Sequence, residues 1–125
     1  MAILLVDDNP VQATTRQAIL TNTGRKVFVA TSASHALVLL EDLELARNVK
    51  LVITDHIMPK MNGQQFVARL RQLFPTLPVL VLSGLPDAEI EYVGMNVVYR
   101  PKPIAPEELI RLAQSLCEDA LGRTA

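Results

Sequence analysis

Disulfide chemistry is excluded first: the 125-residue chain carries a single cysteine, Cys117, with no intramolecular partner. A lone thiol suits a reducing compartment. An excess of one charge is missing too. Twelve Lys and Arg against thirteen Asp and Glu leave a formal net charge of −1, so no basic field exists to hold nucleic acid or an anionic membrane nonspecifically. Half of the residues are apolar, yet no run approaches the ~18 or more needed to span a bilayer. The N-terminus opens on a strand pattern without a charged leader. Repeats, linkers and low-complexity segments are absent as well. These absences point to one cytoplasmic domain over residues 1–125, large enough to bury about two-thirds of the surface its unfolded chain exposes. They exclude direct nucleic-acid binding and membrane insertion, and a DNA-binding role needs an output domain that the chain lacks.

What is present is a fivefold alternation of strand and helix. The strands read as Ala2–Val6, about Val27–Ala30, Leu51–Thr54, Val79–Leu82 and Val97–Tyr99. Asn9 caps a first helix with Pro10 at its first position, Val11, Thr15, Ala18 and Ile19 on its inner face, and Gly24 as its stop. Ser32 caps a second helix, which runs to about Leu43 through the apolar stretch Ala36–Leu40. A third places Phe66, Val67, Leu70, Leu73 and Phe74 at helical spacing before Pro75, and the last repeats that rhythm with Leu109, Leu112, Ala113, Leu116 and Cys117. Short connections between alternating strands and helices imply a parallel sheet with right-handed crossovers and helices on both faces.

Polar groups collect where these strands end. Asp7 and Asp8 follow the first strand, Asp55 the third, Ser83 the fourth, and Lys102 lies just beyond the fifth, past Arg100-Pro101. In an open α/β sheet the carboxyl ends of the strands face the ligand crevice. Three acids, a hydroxyl and an ammonium there form a site for Mg²⁺ and a phosphoryl group, since Mg²⁺ takes hard oxygen ligands and shares them with phosphate. Taken singly, each group has a plainer explanation. An Asp pair or a single Asp at a strand end serves turns and helix caps, Ser83-Gly84 is a turn signal, and Lys102-Pro103 reads as a loop.

The landmarks taken in order are the acidic pair Asp7-Asp8, the Asp-x-x-Met-Pro-x-Met-x-Gly stretch from Asp55 to Gly63, Ser83 with Gly84, and Lys102-Pro103. Together they resemble the receiver domain of two-component response regulators over nearly the whole chain. The resemblance implies a flavodoxin-like doubly wound sheet of five parallel strands in the order 2-1-3-4-5. It implies Asp55 as phosphoacceptor, with Ser83 and Lys102 contacting the phosphoryl group. Mg²⁺ is implied on Asp8, Asp55 and the backbone carbonyl of Ile57, with Asp7 acting mainly through water. A cis Lys102-Pro103 bond and a switch pair of Ser83 and Tyr99 are implied as well. The implied partners are a sensor histidine kinase or phosphotransfer protein and a downstream protein target. The chemistry is confined to self-phosphorylation and self-dephosphorylation, so the chain is a signalling module and no enzyme. Against the family pattern, the segment between Ser83 and Lys102 is about one helical turn short. The fourth helix is therefore expected as a stunted piece from Ala88 to about Val93, capped by Asp87 and too short to stand without packing.

Two other classes compete for the same residues. A doubly wound phosphatase of the haloacid dehalogenase type wants Asp-x-Asp after its first strand, which Asp7-Asp8-Asn9 does not give, and no phosphate loop for a flavin follows that strand. A non-phosphorylated pseudo-receiver acting as a scaffold is opposed by the intact acid set and favoured by the short fourth helix. His35 and His56 lack a second ligand at zinc spacing. His35 reads as surface polar; alternation points His56 away from Asp55, with a place on the rim of the crevice as the alternative. Met58 and Met61 read as loop packing.

Overall fold

Uninterrupted Val, Ile and Leu runs suit strands that are buried on both faces. The computed structural model describes residues 1–124, with side chains of the last helix through Glu118. In it β1 (Ala2–Val6), β2 (Lys26–Ala30), β3 (Val49–Asp55), β4 (Val79–Ser83) and β5 (Val98–Pro101) form one parallel sheet in the order β2-β1-β3-β4-β5. The order reverses at β1, which lies between β2 and β3, so the carboxyl ends of β1 and β3 flank the switch point where such sheets bind ligands. The expected doubly wound arrangement is present.

The helices are α1 (Pro10–Thr21), α2 (Ala33–Leu39), α3 (Leu43–Asn48), α4 (Gly63–Leu73) and α5 (Pro106–Thr124). Side chains alternate across each strand. Ile3, Leu5, Leu51, Ile53, Leu80 and Leu82 therefore pack with Leu20 of α1 and with Leu109, Ala113 and Cys117 of α5. Leu4, Val6, Val52 and Val81 pack on the opposite face with Ala36 of α2 and Phe66, Val67 and Leu70 of α4. Each fully buried aliphatic side chain contributes about 1.5–3 kcal/mol, so the two layers hold the strand ends rigidly in place. Caps agree with the sequence reading: Asn9 accepts from the Val11 and Gln12 N–H groups, and Ser32 from that of His35.

Three local expectations are corrected. Of the expected inner face of α1 only Ile19 packs against the core; Val11 is 75% exposed and Thr15 and Ala18 are exposed too. Ala13 and Leu20 are buried, with Gln12, Arg16 and Ile19 half-buried. A charged residue in the middle of the inward stripe hid that stripe from an apolar pattern. The second helix does not reach Leu43: it stops at Leu39, and Asp42 opens the separate α3 by accepting from the Glu44 and Leu45 N–H groups. A strong cap three residues after the end of a short helix wins over a continuous apolar run.

The third correction concerns the segment before β5. The stunted piece expected there is present, as a 3₁₀ turn over Ala88–Tyr92; what is corrected is its cap, since Asp87 makes no side-chain bond to it. The chain that follows the turn is held from outside. Arg71 of α4 donates from Nε to the Met95 carbonyl, from Nη2 to that of Asn96, and from Nη1 to those of Phe74 and Leu77. A planar fork with five donors suits four carbonyls, and it fixes the end of the segment that a longer helix would otherwise have fixed.

Candidate functional site

Asp7 follows β1, and Asp55 closes β3. Both are buried, at 1% and 3% exposure, while Asp8 stands exposed at the rim. One carboxylate oxygen from each of the three lies within 4.8 Å of the others. The Lys102 ammonium, presented after β5, reaches Asp55 Oδ1 at 2.7 Å and Gln12 Oε1 at 3.3 Å. Its backbone N–H donates to the Ser83 carbonyl at 2.8 Å, which ties it to the end of β4. The Lys102-Pro103 peptide is cis. Ser83 is buried and its Oγ accepts from the Leu85 N–H at 3.0 Å. Ile57, two residues past the acid, is 61% exposed. Tyr99 sits to one side, its hydroxyl donating to the Leu85 carbonyl at 3.0 Å. Asp7, Asp8, Asp55 and Lys102 are thus brought together, Ser83 borders them, and Tyr99 lies on the flank beyond Leu85.

Two contributors come from α1, which sequence reasoning did not include. Gln12 and Arg16 are four residues apart and so share one helix face. Gln12 steadies Lys102, and Arg16 Nη1 lies 3.0 Å from Asp7 Oδ2 and 3.1 Å from Asp55 Oδ1. The signal was available in the sequence. A helix starting at Pro10 that buries Ala13 and Leu20 also turns position 16 inward, toward Asp7 at the end of the preceding strand.

Burial pushes the Asp7 carboxyl up to about 7, and its hydrogen bond with Asp55 and the Asp55 charge act in the same direction. The Asn9 N–H, 2.8 Å from Asp7 Oδ1, and the Arg16 guanidinium oppose the rise. Clustered carboxylates resist ionising together, which is the electrostatic problem that a cation in this cleft resolves.

Behind the acids lies a second polar group. His56 is buried; its Nδ1 is 2.6 Å from the Tyr92 hydroxyl and its Nε2 is 3.2 Å from Glu91 Oε2. Burial raises the Tyr92 phenol far above its ordinary value, so it stays protonated and can donate to Nδ1 while Nε2–H donates to Glu91. His56 therefore points away from the acid cleft, as alternation predicted, and fastens the 3₁₀ turn to the residue after Asp55. Gly63 makes room for this contact. A Cβ there would meet the Tyr92 hydroxyl, the His56 Cα at 2.8 Å and the Asp55 carbonyl at 2.9 Å.

The chemistry of the donor set fits Mg²⁺. Three carboxylates offer hard oxygens from two strand ends, and the cleft is open to water on the Asp8 side. Asp7, Asp8 and Asp55 form the acidic cluster at which receiver domains bind that ion.

A doubly wound sheet with an acid trio and a lysine at its switch point is the architecture of a receiver domain. The chain belongs to the response regulator receiver domain family, whose model matches residues 3–114. It is 38% identical over 122 residues to an uncharacterized 14.6 kDa protein of Leptolyngbya boryana, covering 94% of this chain and 90% of that one. It is also 34% identical to the response regulator Rre1 of Synechocystis, over 93% of this chain and 51% of that protein. The putative two-component response regulator ARR13 of Arabidopsis thaliana is 33% identical over 90% of this chain, which spans only 20% of it. Among solved structures, a signal receiver domain of an HD domain-containing protein from Pseudomonas fluorescens matches with a TM-score of 0.85 and 28% identity, over 97% of each chain. A CheY-like receiver domain protein from Methanospirillum hungatei has a TM-score of 0.87 at 22% identity, over 98% of this chain and 97% of its own, a likeness of fold. Among the described residues, no helix is long and apolar enough to cross a membrane.

Proposed function

We propose that Asp55 accepts a phosphoryl group from a sensor histidine kinase or a phosphotransfer protein, and that the resulting aspartyl phosphate changes which protein the chain binds. The observation that carries this reading is the 2.7 Å contact of Lys102 Nζ with Asp55 Oδ1 beside Asp7 and Asp8. An Asp55 oxygen forms a bond to phosphorus as the phosphorus–nitrogen bond of the donor phosphohistidine breaks, and the electron pair returns to the imidazole. Lys102 then pairs with a phosphoryl oxygen. Ser83 Oγ can donate its proton to another while still accepting from the Leu85 N–H, because a hydroxyl both donates and accepts. Asp8, Asp55 and the Ile57 carbonyl would hold Mg²⁺, with Asp7 acting through water. The ion supplies positive charge that offsets the clustered carboxylates and the phosphoryl oxygens. Tyr99, through Leu85, links the Ser83 end of β4 to the outer surface.

On this reading residues 1–125 are one receiver module acting in the cytoplasm, with no catalysis beyond its own phosphorylation and dephosphorylation. Family membership supports the kinase or phosphotransfer partner. Acetyl phosphate with Mg²⁺ should label the wild type, and Asp55→Asn should abolish the label. Labelling of Asp55→Asn at wild-type stoichiometry sinks the assignment. A second reading, an interaction scaffold that is never phosphorylated, is favoured by one observation, the Arg16 guanidinium already placed between two of the acids. A wild type that no small phosphodonor labels at any Mg²⁺ concentration decides for the scaffold.

A further inference from the structure

The acid cleft contains a cation that the family-based reading did not require. Arg16 Nη1 bridges Asp7 and Asp55 at 3.0 and 3.1 Å, and the Arg16 side chain is only 12% exposed. The contact is built into the fold. Asn9 and Pro10 fix where α1 begins, and the buried Ala13 and Leu20 fix its rotation. A guanidinium that bridges Asp7 and Asp55 engages two of the three carboxylates whose oxygens converge in the cleft.

We propose that Arg16 is the resident counter-ion of this cleft and competes with Mg²⁺ for Asp7 and Asp55, so that metal loading requires its side chain to withdraw. The inference rests on the Mg²⁺ assignment above and extends it to α1. Both cations satisfy the same carboxylates, and at the short range of this cleft they repel one another. The guanidinium has somewhere to go. Arg16 also lines a cavity of about 540 Å³ between α1 and the Lys102–Leu109 segment, whose wall includes Gln12, Thr15 and Ile104. Withdrawal therefore changes the surface between α1 and α5 as the metal enters. Arg16 thereby sets the Mg²⁺ concentration at which the cleft becomes competent, and acts on phosphorylation only through the metal.

The test is calorimetric titration of MgCl₂ into wild type, Arg16→Lys and Arg16→Gln, with no phosphodonor present. Loss of two charge-assisted hydrogen bonds that must break before metal entry should tighten Mg²⁺ binding by at least about tenfold in Arg16→Gln. Arg16→Lys, which keeps a cation, should bind closer to wild type. Equal or weaker binding by Arg16→Gln overturns the proposal. Should that variant fail to fold, the wild type alone decides: the Arg16 Nε–H resonance should shift in step with Mg²⁺ saturation, and an unmoved resonance at saturation is fatal. Acetyl phosphate labelling, scored separately, keeps the two readings apart. A normal competition result with no labelling removes only the phosphoacceptor assignment, whereas labelling with no competition removes only the role of Arg16.

Discussion

His56 and Tyr92, 36 residues apart, are joined by a 2.6 Å hydrogen bond between Nδ1 and the phenol oxygen, with ring centroids 5.5 Å apart in an edge-on arrangement. Tyr92 also lies 6.0 Å, centroid to centroid, from Tyr99. The residue next to the proposed phosphoacceptor is thus tied to the 3₁₀ turn and, one ring further, to the aromatic on β5.

Tyr92→Phe should free the turn. Removing the hydroxyl leaves His56 Nδ1 buried without a donor, which costs about 1–3 kcal/mol. Hydrogen exchange at Ala88–Val93 should speed up in the variant by more than it does in β1. An unchanged exchange rate in the turn means that the buried rings alone hold it.

Gly63→Ala tests the same junction from the opposite side. Its methyl group would meet the Tyr92 hydroxyl and the backbone of residues 55 and 56. Overpacking of this kind costs about 1–3 kcal/mol, visible as a lower urea midpoint. A variant as stable as the wild type would show that Tyr92 yields without loss.

The raised Asp7 carboxyl gives the metal-free protein a pH dependence. The folded value is about 7 against an ordinary 3.8, so the folded state holds more protons between them. The stabilisation is therefore fully present below 3.8 and is lost as the pH rises through about 7. Asp7→Asn, neutral throughout, should gain stability relative to wild type between about pH 5 and about pH 8 in the presence of a chelator. Parallel urea midpoints across that range would show that Asp7 does not titrate there.

The lifetime of the aspartyl phosphate should follow Ile57 and Leu85, which by family resemblance flank the approach of hydrolytic water and are 61% and 46% exposed. Neither can orient water by a hydrogen bond. Ile57→Asn and Leu85→Glu should release phosphate faster, by roughly tenfold or more if orienting assistance is restored. Variants no faster than wild type remove these positions from control of the lifetime.

The strands, the caps at Asn9 and Ser32, and the acid and lysine positions could all be read from the chain, because each has a local signature. Apolar runs, capping residues and strand-end polarity are properties of a few neighbouring residues. The inner face of α1 could not be read in this way. Arg16 belongs to it because the start of α1 at Pro10 and the burial of Ala13 and Leu20 turn position 16 inward, a signal of helix rotation that a search for apolar spacing passes over. The break after Leu39 was hidden by the apolar run Ala36–Leu40, although Asp42 was a visible cap. His56 shows the limit from a different side. Alternation gave its direction correctly, but its partners Glu91 and Tyr92 are supplied by a 3₁₀ turn far along the chain, which no local pattern reaches.

Cys117 is fully buried against β1, β3 and β4, and burial raises its thiol above the ordinary value. A thiol reagent can therefore reach it only when the α5 face of the sheet opens. Because the chain has no second cysteine, the rate of that single reaction counts openings without any introduced label. Measured with and without Mg²⁺ or a phosphodonor, it provides a built-in clock for whether events at the acid cleft tighten or loosen the far side of the molecule.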